Sequence, residues 1–168
     1  MNNNLFKILF QFIGLIFLQV VVFNNIHLFG YINPYIYVAW VLLYPLKSKR
    51  GLFLFLSFLL GLSIDFFSNS GGINAASLLF IAYIRLPLLT SLLRKVDLDY
   101  LLFHVSSMPV AKLLTYISIL VFSHHLVLFS FEYFSLSNIE IIIKHSFLSG
   151  IFTIVLLFIS IQLFSSRK

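Results

Sequence analysis

The chain has 168 residues, 61% of them hydrophobic and only 10% charged, with a net charge of +6. Soluble domains carry about 45–50% apolar and about 25% charged residues, and a chain this short has too much surface to hide the excess. A soluble globular domain is therefore excluded, as is a disordered chain, which needs low hydrophobicity and high charge. An all-α polytopic membrane protein remains: six helices of about 20 residues take about 120 positions and leave too little for a separate soluble domain.

The N-terminus, Met1-Asn2-Asn3-Asn4, leads into an apolar run containing Lys7 and predicts a first spanning helix at 5–23. That run ends at Val22-Phe23-Asn24-Asn25 without the small-residue pair of a signal-cleavage site, so it is expected to stay on the protein. A second helix is expected at 31–46; it is short and opens on Asn33-Pro34-Tyr35, where a first-turn proline is tolerated. The third, 51–68, and the fourth, 74–93, are joined by Asn69-Ser70-Gly71-Gly72 and should be antiparallel neighbours. For the fifth, the apolar pattern starts near Leu98, too early for one span. Pro109 is expected to divide it into an interfacial piece (98–108) and a span at 109–131. Lys112 then lies in a first turn and snorkels to water, whereas a start at Leu98 would carry it to mid-membrane. The sixth helix is expected at 141–164. Neither an internal repeat nor a linker divides the sequence, so residues 1–168 read as a single integral membrane domain.

Basic residues resist translocation. With the N-terminus inside, Lys47, Lys49, Arg50, Arg94, Lys95, Arg167 and Lys168 all fall on the cytoplasmic side, against Lys144 alone opposite. Both termini are accordingly expected in the cytoplasm. Charges scattered through short loops describe a topology, and no nucleic-acid partner is expected. The chain has no cysteine, which excludes disulfides and thiolate chemistry.

Two charges fall inside predicted spans, Asp65 near the outer end of the third helix and Arg85 near the middle of the fourth. Each costs about 2.5–3.5 kcal/mol on insertion scales and should face protein. Two arrangements fit. Arg85 leans outward and joins Asp65 in an ion pair or shared network, or Asp65 is solvated while Arg85 bonds backbone carbonyls. Four stripes of small and polar residues have helical spacing: Lys7, Gln11 and Gly14; Ser57, Gly61 and Asp65; Ala75, Ala82 and Arg85; His145, Ser149 and Thr153. Such stripes pack membrane helices closely, within one chain or against a partner. His27, His104, His124, His125 and His145 read as interfacial residues without zinc-pair spacing. With no nucleophile elbow, phosphate loop or carboxylate pair either, the expectation is a protein that is not an enzyme and carries no cofactor or metal.

The run from Gln19 to Tyr37, with Asn33-Pro34-Tyr35, resembles the first outer loop of the rod shape-determining protein MreD family. So does Gly61-Leu-Ser-Ile-Asp65, followed by Gly71-Gly72-Ile-Asn74-Ala75-Ala76 and by Ala82-Tyr83-Ile-Arg85. The resemblance covers about residues 1–95 by motif and the remainder by hydropathy. It implies a non-enzymatic scaffold of the bacterial cell-wall elongation machinery, in the inner membrane, maintaining rod shape. Its implied partners are an MreC-like bitopic protein, the elongation glycosyltransferase–transpeptidase pair and, indirectly, an MreB-like filament. The family's fold resembles the substrate-binding component of energy-coupling-factor transporters, and Asn33, Pro34, Tyr35, Gly61, Asp65, Gly71 and Asn74 match its motif positions in architectural roles. The alternative function is vitamin capture for such a transporter. It calls for an Ala-x-x-x-Ala stripe on the first helix, and residues 5–23 contain no alanine. An autonomous transporter is disfavoured by the missing repeat.

Overall fold

The computed structural model describes residues 2–26, 32–46, 49–93, 105, 108–134 and 138–165. Helix α1 (Asn2–Phe17) continues into a π-helical stretch (Leu18–Val22) and a 3-10 turn (Phe23–Asn25). A helix end leaves carbonyls without partners. Here the Asn25 amide donates back to Val20 O and Val21 O at 3.3 and 2.9 Å. Next comes α2, only six residues (Val38–Leu43), followed by α3 (Arg50–Ser68), α4 (Ile73–Leu92), α5 (Val110–Tyr133) and α6 (Ile139–Ser165).

Among the described residues five helices are long and apolar enough to cross a bilayer, and the chain is a multi-pass membrane protein. The expected span at 31–46 is a correction. Of its described residues only 38–43 are helical, for one local and one long-range reason. Pro45 disfavours the helical region for Tyr44, whose ψ is 138°. At the other end, the amides of Tyr35 and Ile36 bond to side chains from distant helices and so need no helical partner. The remaining boundaries agree with expectation to within a few residues. Helix α5 starts at Val110, capped by Pro109, which puts Lys112 in its first turn. The expected interfacial piece at 98–108 falls mostly outside the described residues.

The α3–α4 and α5–α6 hairpins pack against each other through α4 and α5, with α1 at the periphery. The Asn24 amide donates to Ser68 Oγ at 2.8 Å, so the C-terminal ends of α1 and α3 lie together and the two helices run parallel. The chain between them must therefore return along the length of α3, about 27 Å at 1.5 Å per residue. Its return path is the interior. Tyr37, Val38, Val41 and Leu42 are fully buried, packed among Leu60, Ile64, Leu78, Ile81, Ile117 and Leu120. Non-helical backbone at membrane depth is tolerated only where protein surrounds it, and α2 meets that condition. On the outside, Phe6, Phe10, Phe66 and Leu163 face outward.

Candidate functional site

Polar side chains collect along the buried segment 33–44 and at the α3–α4 turn. Helix α3 stops because Asn69 adopts a left-handed conformation (φ 52°), and Gly71 and Gly72 carry the chain round with φ of 67° and 96°. Gly72, at the head of α4, has no side chain to cap the helix, and Asp65 takes over that role from the neighbouring helix. One carboxylate oxygen accepts the Asn74 N–H, the Asn74 side-chain amide and the Ser70 hydroxyl, at 2.9, 2.9 and 2.5 Å; the other accepts the Ala75 N–H at 2.8 Å. Two free amides of a helix start are thus satisfied by an acceptor whose charge suits the helix dipole. Gly61, one turn earlier, sets the spacing. A Cβ there would lie 2.5 Å from Ala75 Cα and 2.7 Å from Asn74 O, both backbone atoms.

Asn74 passes the network inward. Its side-chain oxygen accepts the Tyr37 hydroxyl at 2.6 Å, and that hydroxyl lies 2.9 Å from His124 Nε2. Because the tyrosine's single proton goes to Asn74, His124 is assigned as the donor through Nε2. Its Nδ1 is then a buried acceptor without a partner among the described residues. His125, also fully buried, places Nδ1 2.8 Å from Val121 O. Its Nε2 lies 3.3 Å from Thr153 Oγ1, which accepts the Tyr35 N–H at 3.1 Å. The Tyr35 ring packs edge-on against Tyr37, His125 and Phe129.

Gln19 and Arg85 hold the two ends of the same segment. Gln19 is fully buried. Its amide donates to Pro34 O and Asn24 Oδ1 at 3.1 and 2.9 Å, and its oxygen accepts the Ile36 N–H at 2.8 Å. Arg85, 2% exposed, donates from Nη2 to Tyr44 O and Leu42 O at 2.6 and 3.3 Å, and from Nε to the Tyr116 hydroxyl at 3.0 Å. A guanidinium there fills carbonyls that a terminating helix leaves open.

The paired arrangement of Asp65 and Arg85 is therefore corrected. The Arg85 guanidinium lies 5.1 Å from the Phe53 ring centre, and Phe53 precedes Asp65 by twelve residues on α3, about 18 Å. Arg85 bonds carbonyls, as the second arrangement has it. Asp65, though, is buried at the turn and is not solvated.

Of the motif positions, Pro34, Tyr35, Gly61, Asp65, Gly71 and Asn74 all take part in this seam or its turn, and Asn33 lies half-buried in the same segment. Sequence reasoning missed Gln19, Tyr37 and Tyr116. It also placed His124 and His125 at the interface, whereas both are core residues. A glutamine in an unbroken apolar run was the available signal. Three stripes face inward: Ser57, Gly61 and Asp65; Ala75, Ala82 and Arg85; Ser149 and Thr153, with His145 2.8 Å from the Tyr133 hydroxyl. On α1, by contrast, Lys7 and Gln11 are exposed, and a Cβ on Gly14 would meet nothing within 4 Å. Among the described residues no three His, Asp or Glu side chains converge on a metal position; His27 and His104 lie outside them.

Compared with known protein families, characterised proteins and solved structures, the chain has no significant match.

Proposed function

We propose that the chain is a non-enzymatic scaffold of bacterial cell-wall elongation that binds an MreC-like bitopic protein through its membrane helices. The observation that carries this reading is the use made of the motif residues. Gly61, Asp65, Gly71 and Asn74 spend their chemistry on one helical hairpin and on fixing Tyr37 beneath it. The Tyr37–His124 pair, the nearest thing to an acid–base couple, is likewise taken up in joining α2 to α4 and α5. An architectural seam of this kind suits a protein whose work is to present rigid helix faces.

The surface of α1 supports the same reading. Its Lys7–Gln11–Gly14 stripe is turned away from the fold, where a partner's helix can pack closely and bond to Gln11. In this reading the chain crosses the inner membrane six times, the second crossing being the buried segment around α2. Because α1 and α3 are parallel, the Lys47–Arg50 cluster and both termini then share the cytoplasmic side.

Gentle extraction of the full chain from its native membrane, with mass-spectrometric identification of what accompanies it, tests the function. An MreC-like bitopic protein and the elongation synthases are the expected companions. A vitamin together with an ATPase module, and no such protein, would overturn the scaffold in favour of the capture subunit.

A further inference from the structure

An open groove of about 860 Å³ runs along the outside of α4, walled by Leu54, Ala76, Phe80, Tyr83, Leu126 and Phe131. Its walls are almost wholly carbon, so within a bilayer its occupant must be apolar. The groove has one basic end. Arg50, the exposed first residue of α3, holds its guanidinium 5.1 Å from the centre of the Tyr83 ring, the same ring that forms the groove wall. In sequence it closes the run Lys47-Ser48-Lys49-Arg50. The described acids, Asp65, Glu132 and Glu140, all lie at the opposite end of the bundle, where α3 and α5 finish and α6 begins.

We propose that this groove is a binding site for one anionic phospholipid of the leaflet on the Arg50 side. An acyl chain lies along α4 toward Phe131, and the phosphate sits on Arg50 with Lys49 beside it. Three observations select this occupant over a partner's helix. Helix docking in membranes favours rows of small residues that let backbones approach, but here the small wall residues, Ala76 and Ser130, stand singly on two helices among Phe80, Tyr83, Leu126 and Phe131, between which a flexible chain can thread. The guanidinium offers a planar fork that matches a phosphate with two parallel hydrogen bonds, and its stacking on Tyr83 aims it at the groove mouth. The charges of the described residues also set the direction, drawing a headgroup to the Arg50 end and repelling it from the Glu132 end. The site is independent of the scaffold role; it requires only that the helices lie in a bilayer.

Native mass spectrometry of the full chain in detergent, titrated with phosphatidylglycerol or with phosphatidylcholine of the same acyl chains, tests it. Phosphatidylglycerol should occupy one site more tightly than phosphatidylcholine. Arg50→Gln should weaken phosphatidylglycerol about fivefold, the value of one basic residue at a lipid surface, and erase the preference while phosphatidylcholine is unaffected. Ala76→Phe, which fills the groove from a half-buried position, should weaken both lipids, and Leu126→Trp on the opposite wall should do the same if Ala76→Phe impairs folding. Equal binding of the two lipids to the wild type, or a preference that survives Arg50→Gln, overturns the proposal. So does a co-purifying membrane protein that these groove variants displace while lipid binding stays unchanged.

Discussion

Gly61 and Gly14 are the same residue on two neighbouring parallel helices, under opposite constraints. At Gly61 an added methyl would run into the backbone of α4, which cannot swing aside as a side chain would. Gly61→Ala should therefore cost about 1–3 kcal/mol through overpacking, enough to outweigh the helix propensity gained, about 0.5–1 kcal/mol. Gly14→Ala has only the propensity gain. Thermal melts in a single detergent should show a clear loss for the first and none for the second; equal melts would mean that the α3–α4 contact is looser than described. Tyr37→Phe makes the same kind of point for a polar atom. It removes one hydroxyl and leaves both Asn74 Oδ1 and His124 Nε2 buried without that partner. The expected loss is about 1–3 kcal/mol, the penalty for orphaned buried groups.

Among the elements, the α3–α4 hairpin and the α2 segment differ in how far their shape is written locally. The hairpin is legible in sequence because its determinants lie within fifteen residues: Gly61 for approach, Asp65 for the cap, Asn69 through Gly72 for the turn. The α2 segment is not, since its backbone is satisfied by Gln19 of the π-helical stretch after α1, Arg85 of α4 and Thr153 of α6, and periodicity carries no record of such distant partners. Pro45 carries local information about where the helix stops, although the apolar run continues through Leu46. Of the two arrangements open to Arg85, the carbonyl-bonded one prevails for a related reason. The open carbonyls of Leu42 and Tyr44 lie within its reach, and the Asp65 carboxylate is already taken up at the α3–α4 turn. The resulting separation gives a quantitative expectation. Sites more than about 7–10 Å apart without shared partners add within about 0.3–0.5 kcal/mol, so Asp65→Ala and Arg85→Ala should be additive in detergent stability. Asp65→Ala and Asn74→Ala, whose residues are joined by two hydrogen bonds at the turn, should not be. Coupling between Asp65 and Arg85 would contradict the distance between them.

At the scale of the whole molecule, the proposed topology, in which an interior return segment adds a crossing to five long helices, would reconcile a count that is odd in helices with a charge distribution that asks for an even number of crossings. The absence of native cysteine makes the proposed topology easy to examine. Single-cysteine variants Asn138→Cys, Lys49→Cys and Ser166→Cys can each be probed with a membrane-impermeant thiol reagent in right-side-out vesicles. Only Asn138→Cys should react before the membrane is opened. Reaction of Lys49→Cys from outside would mean that the return segment does not carry the chain back across the bilayer.

The hydrogen bond from the Tyr35 amide to Thr153 joins residues 118 positions apart, and this sets an order of events during synthesis. At about 5–20 residues per second, roughly 6–24 s separate the emergence of Tyr35 from that of its acceptor. Through that interval the segment meant for the centre of the bundle lacks the last wall of its enclosure. Maturation is therefore a step after insertion: α6 arrives last and closes the seam around a chain already in the membrane. A nascent chain arrested before α6 should keep the α3–α4 hairpin, whose partners are all local, and remain open to proteases around Tyr35. Release of the complete chain should remove that sensitivity.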